Sequence, residues 1–366
     1  MAVLQGLARA PRPDVEVTLV TPGRRQVYSG MLPGCIAGHY SRQQCEIDLG
    51  RLAERANVRI RLDTIVAMDA NRRCVALSCG DHLDYDVLSL DVGSEIDLSW
   101  LDVLGERVIP VRPGTDLLDR WPTLIDSARR RTDYRLVVVG GGAAGVEVAL
   151  AVQYAFHRAC IDGSVVLAAA AEGLLPGVAQ AVRERVEHEV RAAGVRVCRG
   201  YAAGTVDGVL LADGEFLRAD TVIAATGGVA PCWLQVRGPT LSSSGYVLVD
   251  AGQRSVSHPE LFAAGDVCTR VDIQVERSGV HAVHAGPVLA ANVLDALAGR
   301  APRRRYRPRQ RSLYLLACGP RRAVAWWGRW SAAGALMWRW KDRIDRRFVA
   351  RQALPDTVPA PAETRA

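Results

Sequence analysis

Apolar and polar positions along this chain follow helical and alternating patterns, broken by short continuous apolar runs. In the opening MAVLQGLARAPRPDVEVTLVTP, Ala2, Val3, Leu4 and Leu7 share one helix face. After a turn at residues 11–14, the alternation of Val15, Val17 and Leu19 predicts a strand. Residues 61–90 alternate again, with turns at Asn71 and Gly80-Asp81, and predict a small antiparallel meander. The run LVVV at 136–139 predicts a buried strand that passes into a helix with apolar positions up to Ala151. Further short apolar strands are expected within 85–94, 165–167, 221–228 and 260–267, and a helix around Pro287 to Leu297. Strands interleaved with helices in this order predict an α/β fold.

Composition narrows the class. With 366 residues, 49% of them hydrophobic, and mean hydropathy near zero, the chain has enough apolar material for two or three cores. Nine cysteines lie scattered without a C-x-x-C pair, and the first ten residues lack the apolar core of a secretion signal, which points to a reducing cytoplasm. No run approaches the roughly eighteen apolar residues that span a bilayer, so any membrane contact is expected to be peripheral. The net charge of +7 resides in the tail, because residues 301–351 carry 15 Lys or Arg and 2 Asp. No nucleic-acid motif accompanies these arginines, and nucleic acid is not expected as a partner.

The sharpest chemical signal is LVVVGGGAAGVEVALA at 136–151. Gly140, Gly142 and Gly145 stand in G-x-G-x-x-G register directly after a strand and at a helix start. The chain there must turn sharply, touch a pyrophosphate with its backbone, and pack helix on strand, while free N–H groups at the helix start hold negative charge. A dinucleotide is expected. The next strand ends in Ala168 to Ala171, with Glu172 the first acid and no arginine at that point, so the choice between NADH and NADPH stays open, with a lean towards NADH. Two further strands end in Thr226-Gly227 and Gly265-Asp266.

These motifs, with TLVTPGRRQVYSGMLPGCIAGHY (18–40), YDVLSLDVGS (85–94), QRSVSHPELFAAGDV (253–267), GVHAVHAGPVLAANVLDAL (279–297) and WRWKDRIDRRF (338–348), span almost the whole chain. The chain resembles the FAD-dependent pyridine nucleotide-disulfide oxidoreductase superfamily, and within it the group found alone or fused to selenophosphate synthetase. Type II NADH dehydrogenases and ferroptosis-suppressor-like quinone reductases are wider relatives. The resemblance implies two Rossmann-like domains with a discontinuous FAD domain: residues 1–130, an inserted NAD(P)H domain at 131–228, a return at 229–300, and a C-terminal segment at 301–366. It implies FAD and NAD(P)H as cofactors, with Thr226, Gly227, Gly265 and Asp266 against the nucleotides. Tyr28 and Pro33 would belong to the segment covering the flavin. The superfamily's first strand and first glycine loop have no counterpart here. Either the start lies upstream of Met1 or the loop is lost; the first is preferred, because the missing strand would be central in a parallel sheet. A chain that truly begins at Met1 is expected to bind FAD poorly.

Cys74 and Cys79 have dithiol-like spacing, but a strand and hairpin point them to opposite faces, so a redox pair is not expected. Pairing of Cys35 with Cys45, or of Cys160 with Cys318, stays open. Without a dithiol relay, hydride passes from nicotinamide to flavin and on to a quinone-like or other small acceptor. By the resemblance Glu147 lies near the nicotinamide; the other reading is an ordinary acid in the first helical turn. The start of the helix around Pro287 would face the flavin, with His281 and His284 just before it. His284 is the candidate proton donor, and no metal site is expected.

Five of the eight tryptophans fall between 326 and 340. Met337, Trp340, Ile344 and Phe348 recur at helical spacing opposite Arg339, Arg343, Arg346 and Arg347, as on an interfacial helix or one docked to protein. RRRYRPRQR (303–311) reads as a solvated connector. Selenophosphate synthetase, a peripheral membrane contact at the inner face of the cell membrane, and a homodimer are the partners to be considered. The other function classes are a non-catalytic redox sensor and a reductant supplier in selenium metabolism.

Overall fold

The computed structural model describes residues 1–309 and 311–353 of the chain. At its centre lies a five-stranded parallel sheet in the order Val108–Pro110, Thr221–Ala224, Tyr134–Val139, Gly163–Ala169, Arg196–Arg199. Strands covered on both faces read as unbroken apolar runs, and LVVV does so for that reason. Leu136 and Val138 pack on the helices Gly114–Arg129, Ala143–Arg158 and Gln180–Ala192. Val137 and Val139 face the other way, onto Leu101, Leu104, and the antiparallel strands Ala202–Thr205, Gly208–Leu211 and Phe216–Arg218.

The remaining parallel strands form pairs: Thr18–Thr21 with Arg59–Leu62, Leu88–Leu90 with Leu261–Ala263, and Val247–Val249 with Cys268–Arg270. The predicted meander is present as Ile65–Asp69, Cys74–Leu77 and His82–Asp84, with Asn71 and Gly80-Asp81 between its strands. At the N-terminus the helix Ala2–Arg9 buries Leu4 and Leu7, as its spacing predicts. The strand that follows starts at Thr18, three residues beyond Val15.

Three expectations are corrected. The helix predicted around Pro287 begins at Gly279 and runs to Leu297, so His281 and His284 lie inside it. This helix is also long and apolar enough, at 19 residues and a mean hydropathy of 1.2, to meet the requirement for a membrane span. It serves as a packing helix instead: Ala285, Leu289 and Val293 join the core around Phe262, and buried Asn292 donates to the carbonyls of Gly252 and Arg304. The stretch 303–311 is anchored, since Tyr306 is buried and the Arg304 N–H donates to Asn292; its Gln310 lies outside the described residues.

The C-terminal segment is built into the same core. The antiparallel strands Leu313–Ala317, Ala323–Trp327 and Trp330–Gly334 bring Leu316, Val324 and Trp326 onto the helical layer of the parallel sheet. The helix Ala335–Gln352 then returns across the molecule, and its orientation overturns the predicted face. Lys341 and Asp345 are buried, Phe348 packs on Tyr28 at 4.5 Å between ring centroids, and Trp340 and Ile344 are exposed. A buried ion pair outweighs two apolar side chains here because its charges have partners on other elements, a fact invisible in the helix's own periodicity.

Candidate active site

One cavity of about 4130 Å³ joins the two strand systems. Its walls include the glycine turn after Tyr134–Val139, the ends of Thr221–Ala224 and Leu261–Ala263, the strand Thr18–Thr21 and the start of the Gly279–Leu297 helix.

The glycine turn is held by contacts that exclude any side chain. A Cβ on Gly140, whose φ is +132°, would lie 2.2 Å from the Ala225 carbonyl oxygen, and one on Gly145 would lie 1.9 Å from the Gly140 oxygen. Gly142 has open space and lines the cavity. It caps the Ala143–Arg158 helix without a side-chain hydrogen bond, and no acid occupies the first turn. The free N–H groups there therefore face a cavity, in the arrangement that holds a pyrophosphate. Thr226 and Gly227 line the same space from the neighbouring strand.

Beyond the strand Gly163–Ala169 the structure adds a residue that the local sequence does not show. Arg199, at the end of the adjacent strand, lies against Gly173: its guanidinium Nε is 3.4 Å from where a Gly173 Cβ would stand. An arginine is thus present beside the residues following Ala169, although 30 positions of sequence separate it from that strand end. It also donates to Glu187 at 3.3 Å, while Tyr201 and Gly200 line the cavity next to it.

On the flavin side, Asp266 follows Gly265, whose φ of +76° is left-handed. Its carboxylate accepts from Arg112 at 2.9 Å, and Arg112 donates also to the Ser94 hydroxyl at 2.7 Å, so the acid is fixed at the cavity wall. Arg112 carries no motif and was not foreseen. Tyr28 and Pro33 line the cavity.

Glu147 and Lys341 both line this wall, and Lys341 is a third residue, after Arg199 and Arg112, that sequence reasoning missed. The Lys341 ammonium donates to the Gly30 carbonyl at 2.7 Å and to Asp345 at 2.8 Å, while Glu147 accepts from the Ala317 N–H at 2.7 Å. Burial raises the Glu147 carboxyl above its ordinary value, against the opposing pull of Lys341. Burial likewise raises Asp345, again opposed by Lys341. For Lys341 burial works against the ammonium, but the carboxyls of Glu147 and Asp345 outweigh it and the group is held protonated. The signal for Lys341 was a lone lysine inside an aromatic, arginine-rich helix, which a surface reading absorbs without remainder.

The histidines do not join the site. His284 is exposed and outside the cavity lining, and His281 is hydrogen-bonded to the Tyr306 hydroxyl at 2.7 Å, with burial lowering its pKa. Starting the helix at Gly279 turns these side chains to a different face from Val280, Val283 and Pro287. Among the described residues no cluster of His, Cys, Asp and Glu could hold a metal. All nine cysteines are free thiols, Cys79 lies in the turn after the strand bearing Cys74, and neither belongs to the cavity lining.

Residues 1–286 match the family model for pyridine nucleotide-disulphide oxidoreductases. The chain belongs to that family. Putidaredoxin reductase from Pseudomonas putida is 32% identical over 260 residues, which is 65% of this chain and 57% of the relative. An NADH dehydrogenase-like protein of Mycobacterium tuberculosis is 28% identical over 233 residues, 61% of this chain and 58% of its own length. The chain thus spans a little over half of these relatives. Among solved structures, the sulfide:quinone oxidoreductase of Aquifex aeolicus superposes with a TM-score of 0.76 at 14% identity, covering 96% of this chain and 88% of that one. A covalent putidaredoxin reductase–putidaredoxin complex gives 0.70 at 23%, over 88% and 77%. These superpositions bear out the α/β flavin and nicotinamide nucleotide fold.

Proposed function

We propose that this chain is an FAD-dependent NAD(P)H oxidoreductase that delivers electrons to a quinone-like acceptor without a dithiol relay. The observation that carries this reading is the single cavity in which the glycine turn at 140–145, Asp266 and the Glu147–Lys341–Asp345 network share one wall system. The residues present fit the cofactors: an uncapped helix start for the nicotinamide nucleotide's pyrophosphate, and a fixed carboxylate at Asp266 for ribityl or ribose hydroxyls. When bound, the flavin supplies two-electron acceptance from the nicotinamide.

The protein's own part is orientation and charge. The turn at Gly140 to Gly145 sets the depth of the nucleotide, and the packed wall of Tyr28, Leu32 and Pro33 excludes water. Two of the three Lys341 N–H groups are held by Gly30 and Asp345, which fixes the ammonium as a preorganised positive charge where negative charge collects. Glu147, its carboxyl raised by burial against the opposing charge of Lys341, stands in the same wall as a group that can take up and release a proton.

A quinone-like acceptor is supported by the apolar surface next to the cavity. Trp327, Trp330 and Leu336 are 57%, 50% and 70% exposed, and Ile344 is both exposed and part of the lining. The exposed arginines Arg339, Arg343, Arg346 and Arg347 lie on the same helix, a combination that suits peripheral binding to the inner, anionic face of the cell membrane from a reducing cytoplasm. A small acidic redox protein is the second reading, favoured by those arginines and by the 32% identity to putidaredoxin reductase. Association with selenophosphate synthetase rests on the motif resemblance, and homodimer formation is carried no further than the sequence reading.

The test is direct. Protein supplied with FAD should turn yellow, bleach on anaerobic addition of NADH or NADPH, and regain colour with a short-chain quinone. Failure to retain flavin, or a bound flavin that neither nucleotide bleaches, overturns the proposal.

A further inference from the structure

Two cysteines outside the cavity lining meet in space. Cys35 lies on the helix Leu32–Ile36 and Cys45 ends the helix Arg42–Cys45, with the chain reversing between them through Gly38 at φ +73°. Together with Met31 and Tyr40 they form a small cluster, in which Cys45 is fully buried and Cys35 partly exposed. Cys35 packs against the cluster that buries Cys45, near enough for each thiol to shift the other, and the Cys45 sulfur is 3.8 Å from the Met31 carbonyl oxygen. The pairing with Cys45, helped by the charge of Arg42, draws the Cys35 thiol below its ordinary value, while the same pairing and burial push Cys45 up. An accessible thiolate-prone cysteine backed by a buried partner is the arrangement that reacts with oxidants and then resolves.

We propose that Cys35 and Cys45 form a reversible thiol–disulfide site whose oxidant is a peroxide. The Cys35 thiolate attacks one peroxide oxygen; the S–O bond forms, the O–O bond breaks and, for hydrogen peroxide, water leaves after protonation. The Cys45 thiol then attacks the Cys35 sulfur, the S–S bond forms, and the S–O bond breaks with release of a second water. Two thiols are oxidised by two electrons and one peroxide is reduced. A dithiol reductant returns the electrons and protons by exchange.

The site differs from a flavin-coupled dithiol in position, since neither cysteine lines the cavity. It nonetheless touches the working parts. The cluster packs on Tyr28, Trp338 and Val349, and so on the flavin-covering segment and the helix that carries Lys341. A disulfide there ties the cavity wall to the Arg42–Cys45 helix and sets the position of that wall.

The experiment is peptide mapping by mass spectrometry of reduced protein treated with one equivalent of hydrogen peroxide. A cross-linked pair of peptides containing Cys35 and Cys45, lighter by two hydrogens and restored by dithiothreitol, is expected. In Cys45→Ser, Cys35 should accumulate as a sulfenic acid trapped by dimedone, several-fold faster than the exposed Cys79, Cys160 and Cys232. Labelling of Cys35 no faster than those three, or a disulfide formed elsewhere in the wild-type chain, overturns the proposal. The wild-type map decides the matter even where the variant fails to fold, and it needs no bound flavin.

Discussion

Single residues carry the sharpest predictions. Gly145→Ala places a methyl group 1.9 Å from a backbone oxygen that cannot retreat without opening the turn. Nicotinamide nucleotide binding, followed by calorimetry, should fall at least about tenfold, the equivalent of ~1.4 kcal/mol. Lys341→Met removes the fixed positive charge of the cavity wall while nearly preserving volume. Turnover should fall by about 100-fold with little change in nucleotide affinity, as for loss of one preorganised electrostatic donor. A parallel loss of affinity would instead show that Lys341 serves binding. Arg199 lies against Gly173, just beyond the end of the strand Gly163–Ala169; if it serves a 2′-phosphate there, Arg199→Ala should raise the KM for NADPH by about tenfold and leave that for NADH near its wild-type value. Equal effects on both nucleotides would remove this role.

Between elements, the C-terminal helix and the glycine-turn helix share a buried network of one ammonium and two carboxyls. Glu147 holds its proton more tightly in the folded chain than in the unfolded one, because burial raises its carboxyl. Stability therefore falls as pH rises from the ordinary glutamate value through the raised folded one, and the penalty stays at higher pH. Asp345 acts in the same direction. Lys341 acts oppositely: its contribution is complete below the ordinary lysine value and is lost only as pH rises past its raised one. Glu147→Gln leaves a balanced Lys341–Asp345 pair, so thermal melting should show a midpoint about 2–4 °C above wild type near neutral pH. That gain should shrink to nothing in acid, where wild-type Glu147 is already protonated. A variant melting below wild type throughout the range would mean that the Glu147 charge stabilises the helix contact.

For the whole molecule, the basic and aromatic surface beside the cavity is the feature to test. Flotation with vesicles rich in anionic lipid should retain the protein at low salt, release it at high salt, and fail for Trp330→Ser combined with Trp340→Ser. Retention by neutral vesicles alone would exclude the arginines from the contact.

The chain's local order was sufficient for the α/β class, the glycine turn and the strand ends at Thr226-Gly227 and Gly265-Asp266. Each of these is a contiguous pattern whose chemistry is fixed by backbone geometry over a few residues. Helix Ala2–Arg9 and the 61–90 meander were legible for the same reason. Tertiary structure alone decided which face of Ala335–Gln352 turns inward, where the helix at Gly279 begins, that Lys341 and Arg112 reach the cavity, and that Arg199 lies against Gly173. The cause is electrostatic: a charged side chain reads as solvated in its own segment, and becomes a buried functional group only when partners distant in sequence supply the hydrogen bonds and opposite charge that water would otherwise provide.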